Sequence, residues 1–226
     1  MNFLSHFYFE RFNPQPALVT GSVLPDLVKN ADKTINLHPQ KHEELFHENY
    51  LEQQLFLGWK RHIETDRLFH NSDFFYRWTH ELKIAIDPIL TGTNIRGSFL
   101  SHISLELLLD HLLLEDNLVH EDDFYNLLNI TDRSAIVLFL NHCGLINTQF
   151  FFKFYEKFVR EKYSRQYRNV KQLSSALGNI CNRIWPEKLS EWQHTQLTNV
   201  LFDYVQLLRK EYIQIFDHIT RQLPLT

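Results

Sequence analysis

Two cysteines, Cys143 and Cys181, are all that this chain of 226 residues carries. They are too few for a disulfide framework or a thiolate zinc cluster, and they suit a reducing cytosol. Glycine and proline are also scarce, at 6 and 7, so a strand-rich fold would lack its turns. No uninterrupted apolar run approaches the roughly 18 residues of a membrane span. The most apolar stretch, LELLLDHLLL, is broken by Glu106, Asp110 and His111. The opening MNFLSHFYFE has no basic start and meets His6 and Glu10 early, so it does not read as a signal peptide. An excess of positive charge is missing too: the net charge of −4 argues against a nucleic-acid partner. These absences lead us to expect a cytoplasmic protein with no membrane-embedded part.

What is present is helix-forming and aromatic. Hydrophobic residues make up 44%, charged residues 22% and aromatics 14%, with 19 Phe, enough for a bulky core. Helical periodicity covers nearly everything: residues 2–12, 16–29, 41–71, 73–86, 98–115, 121–142, 147–163, 169–184 and 188–221, with polar loops at 30–40 and 87–97. The expectation is an all-α, single-domain multi-helix bundle over residues 1–226. Charge is uneven, with a net −9 over residues 1–152 and +6 over 153–188. That basic segment reads as a solvated helix face or as a dock for an acidic partner.

Mixed histidine and carboxylate groups recur on separate helices. His102, Glu106 and Asp110 follow one another at four-residue spacing and share a face. The first and last are about 12 Å apart along the axis, too far for one ion. Glu106 with Asp110 could share an ion or a hydrogen-bond network; pairing with cations of neighbouring helices is the other reading. His62 and Asp66 stand four apart on another helix, with His70 a further turn along; such a pair converges on a metal or forms an ordinary surface pair. Asp26, just after Pro25, could act or simply cap a turn, and His6 lies in an apolar segment as a ligand or a core histidine. Imidazole with oxygen ligands suits Mn²⁺, Fe²⁺ or Zn²⁺. Such an ion supplies a hydroxide nucleophile and polarises phosphoryl oxygens, the chemistry of a helical metallophosphohydrolase.

Five stretches in order, MNFLSH, GSVLPDLVK, HIETDRLFHN, SLELLLDHLL and QYRNVKQLSSALGNICNR, resemble the bacterial acyl carrier protein phosphodiesterase family. The likeness is spread from residue 1 to about 220, in short, dispersed motifs. It implies a fold related to the HD-type phosphohydrolases, dependence on a divalent metal, usually Mn²⁺, and hydrolysis of the phosphodiester that joins 4′-phosphopantetheine to a serine of holo-acyl carrier protein. By this resemblance His62, Asp66, Asp110, Asp26 and Glu106 are candidates for metal ligation or for holding the attacking water. His6 and His111 are candidates for orientation or proton transfer. Lys29, Arg168 and Arg183 match basic positions, and Lys29, Arg61 and Arg168 are candidates for phosphate; for Arg61 a helix-surface charge is an equal reading. The acidic carrier protein would then meet the basic segment.

The chain also departs from the family pattern. His70 stands where an aspartate is usual, Pro25 replaces a small residue, the loop at 87–97 is longer, and His102 has no counterpart. These departures admit two other functions: the same hydrolase core acting on a nucleotide or another small phosphate ester, and a non-catalytic helical interaction protein.

Overall fold

Amphipathic periodicity with few breakers yields helices throughout the computed structural model, which describes residues 1–223. Twelve α-helices and three 3₁₀ segments, without a strand, make up these described residues: the fold is all-α. None of the described helices is long and apolar enough to cross a membrane. By their internal packing the residues group into two compact units whose segments alternate along the sequence. One comprises Met1–Ser5, Asp66–Leu118 and the chain from Ser164 onward; the other comprises His6–Thr65 and Val119–Tyr163.

Helices α1 (Phe3–Glu10) and α4 (Tyr50–His70) each run from one unit into the other. In the second unit, α2 (Pro16–Gly21) lies against α4 at a close crossing. A Cβ on Gly58 would stand 2.1 Å from the Leu18 carbonyl oxygen, and one on Gly21 would stand 2.2 Å from that of Leu55. Only glycine lets these backbones touch. In this unit α2 also packs on α7 (Glu121–Ile130), and α3 (Leu24–Ala31) packs on α9 (Gln149–Glu161). Phe46, Phe56 and Phe139, the last on α8 (Arg133–His142), join rings in its core.

The first unit is built around α6 (Gly97–Glu115), which packs against α5 (Asp73–Ile86), α10 (Val170–Cys181) and α11 (Glu191–Leu208). From Ser104 to Leu114 every residue of α6 is buried, which is why its leucines show no single apolar face. Helix α12 (Tyr212–Gln222) ends the description.

Several expected helices are interrupted, each for a local reason. The 16–29 segment breaks after Gly21, and α3 restarts with Pro25 in its first turn, where a missing N–H costs nothing. The 41–71 segment is a 3₁₀ stretch, Pro39–Phe46, and then α4, whose start is capped by the Asn49 side chain accepting from the Leu51 and Glu52 amides. The 121–142 segment is divided at Asp132, which accepts from Ser134 and Ala135 as the N-cap of α8.

Candidate functional site

In the second unit, the Gly58 crossing carries α4 past the end of α2 and sets His62, one turn later, against Ser22. His62 Nδ1 lies 2.9 Å from the Ser22 carbonyl oxygen. A carbonyl can only accept, so Nδ1 carries a proton and Nε2 is the nitrogen by which His62 could ligate a metal. That nitrogen is 3.8 Å from Asp26 Oδ1, a gap that two bonds of ~2.1 Å to a shared ion span at an obtuse angle. The ring of His6 stacks on His62 with centroids 3.9 Å apart and 17° between planes. Both rings are buried, whereas the Asp26 side chain is 33% exposed. Asp66 follows His62 by one turn of α4.

The expected phosphate-binding residues have other surroundings. Arg61 is paired through Nε with Glu10 inside the second unit; burial pushes the Glu10 carboxyl above its ordinary value against the pull of Arg61. Lys29 is exposed and donates to the Asn36 side chain. Arg168, in the 3₁₀ segment Tyr163–Arg168, reaches toward the Leu114 carbonyl at 3.5 Å, and Arg183 is exposed just beyond α10.

The polar stripe of α6 has two different jobs within the first unit. Asp110, fully buried, caps the start of α1. Its Oδ1 accepts from the Ser5 amide at 2.7 Å and hydroxyl at 2.6 Å. Its Oδ2 accepts from the Leu4 amide at 3.1 Å and from Asn2 at 2.8 Å. Four donors occupy the four lone-pair positions of a carboxylate, so Asp110, expected as a metal ligand, is taken up by two backbone amides and two side chains at the start of α1. Burial pushes its carboxyl up to about 7, with the four donors opposing. His111 is likewise fixed: Nδ1 donates to the Tyr167 carbonyl at 2.7 Å, and Nε2 lies 3.4 Å from Glu115 Oε2. It ties α6 to the 3₁₀ segment and is buried.

The other half of the stripe, Glu106, joins His102 of its own helix and His70 of α4. Its Oε1 is 2.9 Å from His102 Nε2 and 3.5 Å from His70 Nε2, and the two nitrogens are 3.2 Å apart. The amino nitrogen of Met1 lies 3.1 Å from the same Oε1 and 2.6 Å from Asp66 Oδ1. Burial weighs against a charge on Glu106, but the Met1 ammonium and the hydrogen bonds from His102 and His70 outweigh it and hold the carboxyl far below its ordinary range. The four-residue step from His102 to Glu106 was the one signal of this group in the sequence. His70 comes from α4, and nothing in the order of residues joins it to α6.

An all-helical fold carrying histidine–carboxylate groups that could hold a metal ion is the class these features define. In comparison with known proteins, the chain matches no protein-family model, no curated protein and no solved structure.

Proposed function

We propose that this chain is a metal-dependent phosphodiester hydrolase of HD-like type, similar to the enzymes that remove 4′-phosphopantetheine from holo-acyl carrier protein. The observation that supports it best is His62: a buried imidazole whose Nδ1 is held by the Ser22 carbonyl and whose Nε2 is aimed at Asp26, with His6 stacked on it. A carbonyl that accepts from the far ring nitrogen is how metal-ligating histidines are oriented. His62 and Asp26 would hold the ion, with Asp66 a turn further along α4. A bound Mn²⁺, Fe²⁺ or Zn²⁺ supplies a Lewis acid for a phosphoryl oxygen and an acidified water. Asp26, the most exposed member, orients the attacking water and takes the proton it loses. As the new bond to phosphorus forms, the bond to the serine oxygen breaks, and His6 gives that oxygen its proton. The products are free phosphopantetheine and the carrier protein's serine. The basic residues of 153–188 suit an acidic carrier protein in the cytoplasm.

Incubation with holo-acyl carrier protein and Mn²⁺, followed by mass spectrometry, tests this. Loss of the phosphopantetheine mass is expected; it should stop with chelator, return with Mn²⁺, and fall at least 100-fold in His62→Ala and Asp26→Ala. Metal binding without that loss would move the substrate to another phosphate ester. No metal binding, together with an inert Asp26→Ala, would leave a non-catalytic interaction protein.

A further inference from the structure

We infer that His70, His102 and Glu106 form a separate three-ligand site for a transition-series dication, lying wholly within the first unit. Bonds of ~2.1 Å to nitrogen or oxygen place neighbouring ligand atoms roughly 3.0 Å apart in an octahedron and roughly 3.4 Å apart in a tetrahedron. The three separations here, 2.9, 3.2 and 3.5 Å, bracket those values. An ion ~2.1 Å from all three atoms stands roughly 1 Å off their plane, where one face of its coordination shell is supplied by protein and the rest stays open.

Two further observations point the same way. Imidazole nitrogens 3.2 Å apart cannot face each other with bare lone pairs; a proton or a metal ion has to lie between them. The rings are also braced for this arrangement. Phe75 meets His70 edge-on at 4.9 Å and His102 at 5.0 Å, closing an apolar wall behind the pair. The side chains of His70 and His102 are about one-third exposed, at 32% and 37%. His102 lines a surface cleft with Arg96, Ser98, Phe99, Ile184 and Trp185, so an ion has a path in.

The ligand set chooses among ions. Two imidazoles and a carboxylate favour Zn²⁺, Co²⁺, Fe²⁺ or Mn²⁺, whereas Mg²⁺ and Ca²⁺ want oxygen shells. The Met1 ammonium leans on the same oxygen at 3.1 Å, so the ion takes Glu106 in competition with it.

Chelator-treated protein titrated with Zn²⁺ by calorimetry, and with Co²⁺ by visible absorption, provides the test. His102→Ala and Glu106→Gln should each bind one equivalent fewer than the wild type, or bind it at least tenfold more weakly, with circular dichroism unchanged. His62→Ala should keep that equivalent, and excess Mg²⁺ should not displace it. In the His62→Ala protein, Cu²⁺ should show electron-spin-resonance splitting from two imidazole nitrogens, and His70→Ala should reduce this to one. Equal stoichiometry and affinity in wild type and His102→Ala would overturn the assignment, as would a Cu²⁺ spectrum without nitrogen splitting. His62→Ala and His102→Ala remove different equivalents, so failure here leaves the phosphodiesterase reading standing, and failure of that reading leaves this site.

Discussion

Single residues carry much of the organisation. Asp110 holds four donors at the start of α1, and His6 follows Ser5 directly in the chain. Asp110→Ala strands two buried amides and a hydroxyl, so we expect a loss of about 2–4 kcal/mol in urea unfolding, larger than for an ordinary surface cap. Removing the cap should also loosen the His6–His62 stack, seen as a change in the two imidazole resonances. Cys143 and Cys181 are buried, and burial pushes their thiols up to about 12 and about 11. A raised thiol value means the reactive thiolate appears only as pH climbs through 11 to 12; at pH 8 the fraction is on the order of 10⁻³ to 10⁻⁴. Neither cysteine should react with Ellman's reagent in the native protein at pH 8, and both should react in guanidinium. Rapid native labelling would show that these regions open.

At the scale of elements, the α2–α4 crossing is the most demanding feature. Gly58→Ala would put a methyl against backbone, 2.1 Å from the Leu18 oxygen, and the helices must separate. We expect a cost of about 1–3 kcal/mol together with weaker metal binding at His62, which rides the next turn. Ser190→Ala offers a contrast: it removes the capping box of α11 and should cost about 1 kcal/mol with no effect on metal. The helical class was legible because the 3.6-residue period is written into each segment. The breaks at Asn49 and Asp132 were not, since a polar residue inside an amphipathic run caps a helix only where the chain around it turns away. The site was legible unevenly for the same kind of reason. Four-residue spacing finds pairs on one helix, such as His62 with Asp66 or His102 with Glu106. It cannot find His70 beside His102, 32 residues apart on different helices, nor foresee that Asp110 would be claimed by backbone amides.

Across the whole molecule, each unit is assembled from separated stretches. Met1–Ser5, Asp66–Leu118 and the chain from Ser164 make one, and His6–Thr65 with Val119–Tyr163 make the other. A cut between Leu118 and Val119 therefore divides both. We expect fragments 1–118 and 119–226, expressed separately, to lack a cooperative thermal transition by circular dichroism, while the two mixed together recover helicity. If either fragment melts cooperatively by itself, its helices do not need those of the other fragment. The interleaving has a consequence for how the protein is made. During synthesis, α2 emerges long before α7, which covers it in the second unit, and α6 emerges long before α10 and α11. The leucine-rich α6 therefore spends much of translation without its partners. We expect the packing of α6 against α10 and α11 to form only in the last third of the chain's own synthesis, a delay that stalled nascent chains of increasing length would show by their protease sensitivity.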